Sequence, residues 1–502
     1  MHRNQTTNAL LVGSITLTPT LVEPLYQQLF QQLRQLIVTG RLQPSTRLPS
    51  SRQLALDLKV SRTTSVNAYQ QLQSEGLLLS RQGAGIYVNH SLSKSTQAQT
   101  PQATNKALPT QLEASPKVSI SFNSGPDVTH FPFPLWARCL ARVWRQPEPS
   151  LLHDLHIGGY QGLRQALCHY LYVMRGVQCD AQQIIITAGQ RDSLSLVSKV
   201  LMQAGDGVYM ENPGYPLQRQ VIDALGLRAD LLEVDNQGVM LPSLSRRASS
   251  RANKLAIIGP SQQYPLGIAM SGPRKLAWLS YAQSHNCWLL EDDYDSEYVY
   301  ERRRTDALMS LDATGKVILL GSFSKLMFHG FRLGYLVLPK ALVANFLLAQ
   351  EQLGGMASLH IQPALSQFLS ERSFNAHLGR MRRLYQARRD TLCQLIKLHL
   401  DPWLSVQPPD AGMHLLAYCR NNLDDVALEA ELRQQGVLVH ALSKHYANTD
   451  VCAGRDSYAD IRGFVMGFSG CNEQQLEENV LLFRQVLEHS PIIKSQPMVA
   501  YS

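Results

Sequence analysis

The sequence predicts two modules of different fold class, a small, mainly α-helical one followed by a large α/β one that ends in a smaller α+β lobe. Three observations predict this. Residues 24–72 carry short runs with helical apolar spacing, and residues from about 118 onward alternate strand-like apolar runs with helical stretches. Between them, residues 89–117 are mostly Ser, Thr, Gln, Ala, Asn and Pro, with almost no large apolar side chain to bury. Such a segment cannot offset the entropy of ordering and reads as a flexible linker. The expected organisation is therefore an N-terminal extension at 1–20, a small module at 21–88, the linker at 89–117 and a large module at 118–490, whose smaller lobe starts near 400.

Composition narrows the class. The chain has 502 residues, 44% of them hydrophobic, which supports a large core. Its eight cysteines are scattered without a Cys-x-x-Cys pair, so they read as reduced thiols and metal binding is not expected. No apolar run approaches the roughly 20 residues of a membrane helix, and residues 1–20 lack a basic-then-apolar leader pattern, so a cytoplasmic protein is expected. The net charge is +8, and residues 21–88 hold seven basic side chains against three acidic ones. That local excess suits a polyanionic partner.

In the small module, Leu25, Leu29, Leu33, Leu36 and Ile37 follow helical spacing until Gly40 stops the run. A second helix starts after Pro49 with Ser50 or Ser51 as its cap and buries Leu54 and Leu58. Lys59-Val60 makes a short turn, and Ser61 caps a third helix carrying Val66, Tyr69 and Leu72. Two short helices joined by a tight turn form a helix-turn-helix, and the first turn of the third helix offers Arg62, Thr63 and Thr64 to phosphates and base edges. Beyond it, 81–88 reads as a glycine-tipped hairpin beginning at Arg81, the wing of a winged helix-turn-helix. A small three-helix protein-interaction domain is the alternative. The segment, with Arg47-Leu48-Pro49-Ser50-Ser51-Arg52 and Val60-Ser61-Arg62-Thr63-Thr64, closely resembles the GntR family of bacterial transcription regulators. The resemblance implies that Arg47, Ser51, Arg52, Ser61, Arg62, Thr63, Thr64 and Arg81 face double-stranded operator DNA.

In the large module, apolar runs at 184–187, 255–259, 287–290, 317–320 and 335–338 alternate with helical stretches, which argues for a mainly parallel sheet. The run 317–320 leads into Gly321-Ser322-Phe323-Ser324-Lys325, with Arg332-Leu333-Gly334-Tyr335 soon after. An amine at the end of a buried strand, beside hydroxyls and an arginine, suits a lysine that forms a Schiff base with a phosphorylated aldehyde, while Ser322, Ser324 and Arg332 neutralise the phosphate. Alone, the motif also reads as a surface lysine after a strand. Three further segments decide between the two.

The run 287–290 enters Glu291-Asp292-Asp293-Tyr294, where a carboxylate can hold a pyridine nitrogen protonated and a phenol two residues on can bond the ring's phenolic oxygen. An acidic cluster can also bind a metal or form a solvated loop, but no His or Cys ligand accompanies this one. Thr187-Ala188-Gly189-Gln190-Arg191 lies between a strand and a helix, where exposed backbone N–H groups bind phosphate. Glu211-Asn212-Pro213-Gly214-Tyr215 offers an aromatic ring to cover a flat cofactor.

This order of motifs, with a loop at Tyr264-Pro265-Leu266-Gly267, resembles the fold type I aminotransferases, which bind pyridoxal 5′-phosphate. Joined to a GntR-like winged helix, it resembles the MocR subfamily over nearly the whole chain. The resemblance implies that Lys325 carries the cofactor, Asp292 pairs with the pyridinium nitrogen, Tyr294 contacts the 3′ oxygen and Tyr215 stacks on the ring. It also implies that Gly189, Gln190, Ser322 and Arg332 bind the phosphate, that Tyr160 lines the site and that subunits pair as head-to-tail homodimers.

Two positions depart from the family pattern. Gln262 stands where relatives carry a histidine, and Val465, aligned on Gly467-Phe468, stands where they carry an arginine that clamps a substrate carboxylate. Arg462 is offset by an odd number of residues and would face the other side of a strand. Ordinary α-amino acids are then expected to bind poorly. Arg380, Arg382, Arg383, Arg388 and Arg389 share one helix, which reads as a solvated face or as an auxiliary DNA-contacting surface. The function expected is a transcription regulator that senses pyridoxal phosphate or an amine-type effector and controls vitamin B6 supply. An aminotransferase with an accessory DNA-binding domain is the alternative.

Overall fold

The computed structural model describes residues 14–19, 23–81, 85–90, 122, 125–153, 156–242, 253–301, 305–353, 357–421, 423–447 and 461–494. Most of the N-terminal extension, the wing tip at 82–84 and nearly all of the expected linker lie outside them. The chain folds as two compact units, Met1–Ala114 and Ser115–Ser502.

In the first unit, α1 (Leu25–Val38), α2 (Ser51–Asp57) and α3 (Arg62–Ser74) enclose a core that includes Leu29, Leu33, Leu54, Tyr69 and Leu72. Ser50, rather than Ser51, caps α2, its hydroxyl accepting from the Gln53 amide at 3.2 Å. Ser61 caps α3 by accepting from the Thr64 amide at 3.1 Å. The turn between the helices passes through Lys59 at φ +55°, in the left-handed region. Ser65 ties α3 to α2, its hydroxyl donating to the Ser51 carbonyl at 2.6 Å. On the buried face of α3 Ala68 joins Tyr69 and Leu72, while Val66 is only half buried. The wing has three strands instead of a hairpin alone. β1 (Arg47–Leu48) pairs antiparallel with β3 (Gly85–Val88), which pairs with β2 (Leu78–Arg81).

The second unit is built on an eight-stranded sheet. Its strands are β4 (Ile184–Thr187), β5 (Gly207–Asn212), β6 (Arg228–Asp235), β7 (Gly238–Val239), β8 (Leu255–Ile258), β9 (Trp288–Asp293), β10 (Val317–Ser322) and β11 (Gly334–Val337). Their order is β4-β11-β10-β9-β8-β5-β6-β7. The stretch from β10 through β6 is parallel, as the alternating pattern predicts. β11 is antiparallel to both β10 and β4, because the short connection after β10 cannot carry a crossover back to the starting end. Strands β4 and β8 are buried along their whole length, which explains their uninterrupted apolar runs. The smaller lobe holds β12 (Leu404–Val406), β13 (His414–Cys419), β14 (His440–Ala441) and β15 (Gly463–Gly467) in an antiparallel sheet of order β12-β13-β15-β14.

The arginine-rich segment lies in the long helix Arg372–His399. It is not a uniformly solvated face. Arg388 is buried and donates to Asp127 at 2.7 Å and to the Ser469 carbonyl at 2.6 Å. Arg389 is also buried and reaches Glu301 and the Pro409 carbonyl, and Arg382 donates to the Glu297 carbonyl. Arg380 and Arg383 remain exposed.

Candidate cofactor and DNA sites

The strand register assembles the larger site. Because β9 and β10 run parallel with Asp292 beside Leu320 and Asp293 beside Gly321, the acidic turn and the lysine turn leave the sheet at the same end. The antiparallel β10–β11–β4 pairings align Ser322, Gly334 and Thr187. That places the Arg332 turn against the Gly189 turn. A Cβ built on Gly334 would lie 3.1 Å from Gly189 Cα, so a side chain there would press the two turns apart. Gly189 itself sits at φ +101° as the cap of α4 (Gln190–Leu201), leaving that helix's first amides available to an anion.

Lys325, Asp292, Tyr294, Tyr215, Gly189, Gln190, Ser322, Ser324 and Arg332 all line one cavity of about 440 Å³. Asp292 Oδ2 accepts from Gln190 Nε2 at 2.8 Å and from Gln218 Nε2 at 2.6 Å. Its Oδ1 is buried without a partner among the described residues. Burial and the neighbouring Asp293 push the Asp292 carboxyl up to about 7 against the pull of the two amides. The Tyr294 hydroxyl is likewise buried and unpartnered among the described residues, and burial holds its pKa well above the usual phenol value. Burial lowers the Lys325 amine, and the Asp295 carboxylate offsets part of that. A lysine with a lowered pKa presents more free amine for attack on a carbonyl.

The Gln190 side chain is committed to Asp292, so an anion at this turn would meet the Gln190 backbone instead. Tyr160 does not line the cavity. Its amide donates to Gln362 Oε1 at 2.8 Å and its ring packs edgewise on His156. Gln262 is buried away from the cavity lining, close against Gly412.

Several lining residues were not singled out from sequence: Leu217, His329 and His440, with Arg191 and Tyr264 noted only as parts of a turn and a loop. Tyr264 is the hub of an aromatic group, its ring 5.3 Å from Tyr215, 6.2 Å from Tyr294, 5.1 Å from His414 and 5.3 Å from His445. Burial lowers His414 and His445 to about 4, so both are neutral near pH 7. Tyr264 also packs against a cluster outside the cavity lining, in which Val465 is buried with Leu416 and Leu442, and Val465 pairs across the sheet with His440. Phe464 and Met466, on the opposite face of β15, enter the main core.

In the first unit, Arg47, Arg52, Ser61, Arg62, Thr63 and Arg81 are exposed, and Ser51 and Thr64 are half buried. The Thr64 hydroxyl is occupied by the cap, 2.8 Å from Ser61 Oγ, so Arg62 and Thr63 are the freer groups of that turn. Arg81 lies over the Tyr87 ring, 5.3 Å from its centre. Arg47 reaches across the wing, its Nε 3.2 Å from where a Cβ on Gly85 would stand.

Comparison with known proteins agrees with both halves. Residues 25–88 match the gntR family of bacterial regulatory proteins, and residues 126–457 match the aminotransferase class I and II family. The probable rhizopine catabolism regulatory protein MocR of Rhizobium meliloti is 33% identical, covering 91% of this chain and 92% of its own. This chain belongs to the MocR subfamily of GntR transcription regulators. A second MocR-type relative, the HTH-type pyridoxine biosynthesis transcriptional regulator PdxR of Corynebacterium glutamicum, is 31% identical over 92% of this chain and 96% of its own. The large unit has the fold of the Pyrococcus horikoshii kynurenine aminotransferase, with a TM-score of 0.66 and 21% identity over 74% of this chain and 91% of that one. As a MocR-type regulator the chain pairs a DNA-binding helix-turn-helix with an aminotransferase fold, and that fold implies pyridoxal phosphate binding. Among the described residues no helix is long and apolar enough to cross a membrane, and no cluster of His, Cys, Asp and Glu could hold a metal.

The cavity residues fit that cofactor. Asp292 Oδ1 and the Tyr294 hydroxyl are buried polar atoms that a pyridine nitrogen and a ring oxygen would satisfy, and Ser322, Ser324, Arg332 and the α4 amides form an anion cradle.

Proposed function

We propose that this cytoplasmic regulator binds pyridoxal 5′-phosphate at Lys325 and couples its occupancy to operator DNA binding. Asp292 holds the pyridine nitrogen, Tyr294 the ring oxygen and Tyr215 covers the ring. Gly189 and the Gln190 backbone, with Ser322, Ser324 and Arg332, hold the phosphate. When bound, the cofactor supplies an electrophilic aldehyde to the lysine amine. Arg47, Ser51, Arg52, Ser61, Arg62, Thr63, Thr64 and Arg81 contact double-stranded operator DNA, and a head-to-tail homodimer presents two such modules.

The observation that carries the choice of effector is Val465. The cluster that Tyr264 packs against, outside the cavity lining, offers Val465, Leu416 and Leu442, with neutral His414 and His445 beside the Tyr264 ring, and none of these can clamp a carboxylate. That apolar surrounding favours pyridoxal phosphate itself, or an amine lacking a carboxylate, over α-amino acids. It also disfavours reading the chain as an aminotransferase of ordinary amino acids. The relative named for pyridoxine biosynthesis supports control of vitamin B6 supply.

The test is an absorbance titration with pyridoxal phosphate, paired with binding to the DNA upstream of the protein's own gene. Cofactor-dependent changes in DNA affinity are expected, and Lys325→Ala should abolish them. An unchanged response in Lys325→Ala, or sustained turnover of an amino-acid and keto-acid pair, would overturn the reading.

A further inference from the structure

Asp295 has no role in the cofactor contacts above, yet it is one of the most enclosed carboxylates in the chain. It is 1% exposed, and both of its oxygens lack a hydrogen-bond donor among the described residues. A buried carboxylate without donors is costly unless a cation stands beside it.

The backbone sets Asp295 next to Lys325. Both follow neighbouring parallel strands that end side by side, Asp293 beside Gly321. Tyr298 then ties the two turns together: its amide donates to the Asp295 carbonyl at 3.1 Å and its hydroxyl donates to the Lys325 carbonyl at 3.2 Å. On the far side the smaller lobe closes over the carboxylate at Gly412, where φ is +90° and a Cβ would stand 3.2 Å from Asp295 Oδ2. Lys325 lines the cavity, whereas Asp295 lies outside that lining.

We propose that Asp295 is the counter-ion of Lys325, a positioning residue that stands behind the amine and holds it aimed into the cavity. The inference rests on the reading of Lys325 as the cofactor's anchor. The other groups facing the pair do not replace either partner. Asp295 is faced by Glu297, Asp293 and Asp292, which disfavour its ionisation, and its own charge in turn raises the neutral phenols of Tyr294, Tyr298 and Tyr300. Lys325 is the cation acting on it. Lys325 is faced in turn by His329 and His414, whose pKa values are lowered by burial and by the lysine's charge. Burial drives the carboxyl up and the amine down, and each partner's charge pulls the other back.

The experiment uses the full chain stripped of pyridoxal phosphate. Lys325 is labelled with acetic anhydride over a pH series and quantified by mass spectrometry. Asp295→Asn should lower the labelling midpoint by about 1–3 pH units, the usual effect of removing an opposite charge at close range. Asp295→Glu should restore the wild-type midpoint. An Asp295→Asn midpoint equal to wild type overturns the proposal.

A second comparison reads the pair from the other side and does not require Asp295→Asn to fold alone. Lys325→Met should lower the melting temperature of the cofactor-free protein by leaving the carboxylate unpaired, and adding Asp295→Asn should raise it again. A double variant no more stable than Lys325→Met overturns the proposal. Absence of any spectral change with pyridoxal phosphate would instead defeat the anchor reading, and both comparisons still decide the role of Asp295.

Discussion

Gln190 Nε2 donates to Asp292 Oδ2 at 2.8 Å, joining the start of α4 to the end of β9. Gln218 donates to the same oxygen at 2.6 Å, so two neutral amides, not a cation, orient this carboxylate. A neutral clamp leaves the charge of Asp292 free to act on a ligand.

That arrangement predicts a pH-dependent cost. Burial and Asp293 raise the Asp292 carboxyl from 3.8 to about 7, so between those values the native state keeps a proton that the unfolded chain gives up. Stability of the cofactor-free protein therefore falls as pH rises through that window. Asp292→Asn cannot titrate and should gain stability relative to wild type from about pH 4 to 7, as measured by denaturant unfolding. The same variant should bind pyridoxal phosphate at least about tenfold more weakly, because a charge-assisted hydrogen bond is worth roughly 1.5–3 kcal/mol.

Ser61 and Arg62 are neighbours with separable roles. Ser61 caps α3, so Ser61→Ala should cost about 1 kcal/mol of stability as well as DNA affinity. Arg62 is exposed, with its side chain outside the cap. Arg62→Ala should leave the melting temperature unchanged and weaken operator binding. Loss of one phosphate contact would lower the salt slope by about one and affect all sequences alike, whereas loss of a base contact would relax specificity at one position.

Arg388 and Asp127 form a buried ion pair at 2.7 Å. Burial alone would push the Asp127 carboxyl up, but hydrogen bonds from Thr129, His130 and Arg388 outweigh it and hold the group below the usual carboxylate range. The stability from this pair is present above the unfolded carboxylate pKa of about 4 and is lost as pH falls through the native value. Arg388→Met should therefore destabilise by about 3–5 kcal/mol near neutral pH, with a smaller difference from wild type in acid, read by urea unfolding.

These cases separate what the sequence carries from what only the fold decides. Lys325, Asp292, Gly189 and Ser322 sit at strand ends within short motifs, so the order of those motifs along the chain marks them together although no single motif does. Gln218 and His445 come from a helix and a lobe remote in sequence, and nothing in their own surroundings marks them as neighbours of Asp292 and Tyr264. Arg388 and Arg389 read as a charged helix face because their partners, Asp127 and Glu301, are distant in the chain. In the wing, β1 has only two residues, Arg47 and Leu48, too few to show a strand period.

Val465 provides the sharpest test of what the cavity accepts. It is buried with Leu416 and Leu442 in the cluster that Tyr264 packs against, and opposite His440 in the β14–β15 pair. Replacing it with arginine would put a guanidinium in an apolar cluster, which costs several kcal/mol unless an anion reaches it. Val465→Arg should thus lower the melting temperature of the protein. A small α-amino acid added to the pyridoxal phosphate-loaded variant should then restore part of that loss, because its carboxylate can pair bidentately with the new side chain. Wild type should show no such recovery with the same amino acid. Equal thermal shifts in both proteins would mean that position 465 does not govern carboxylate recognition, and that the preference for carboxylate-free ligands must be sought in the residues that line the cavity itself.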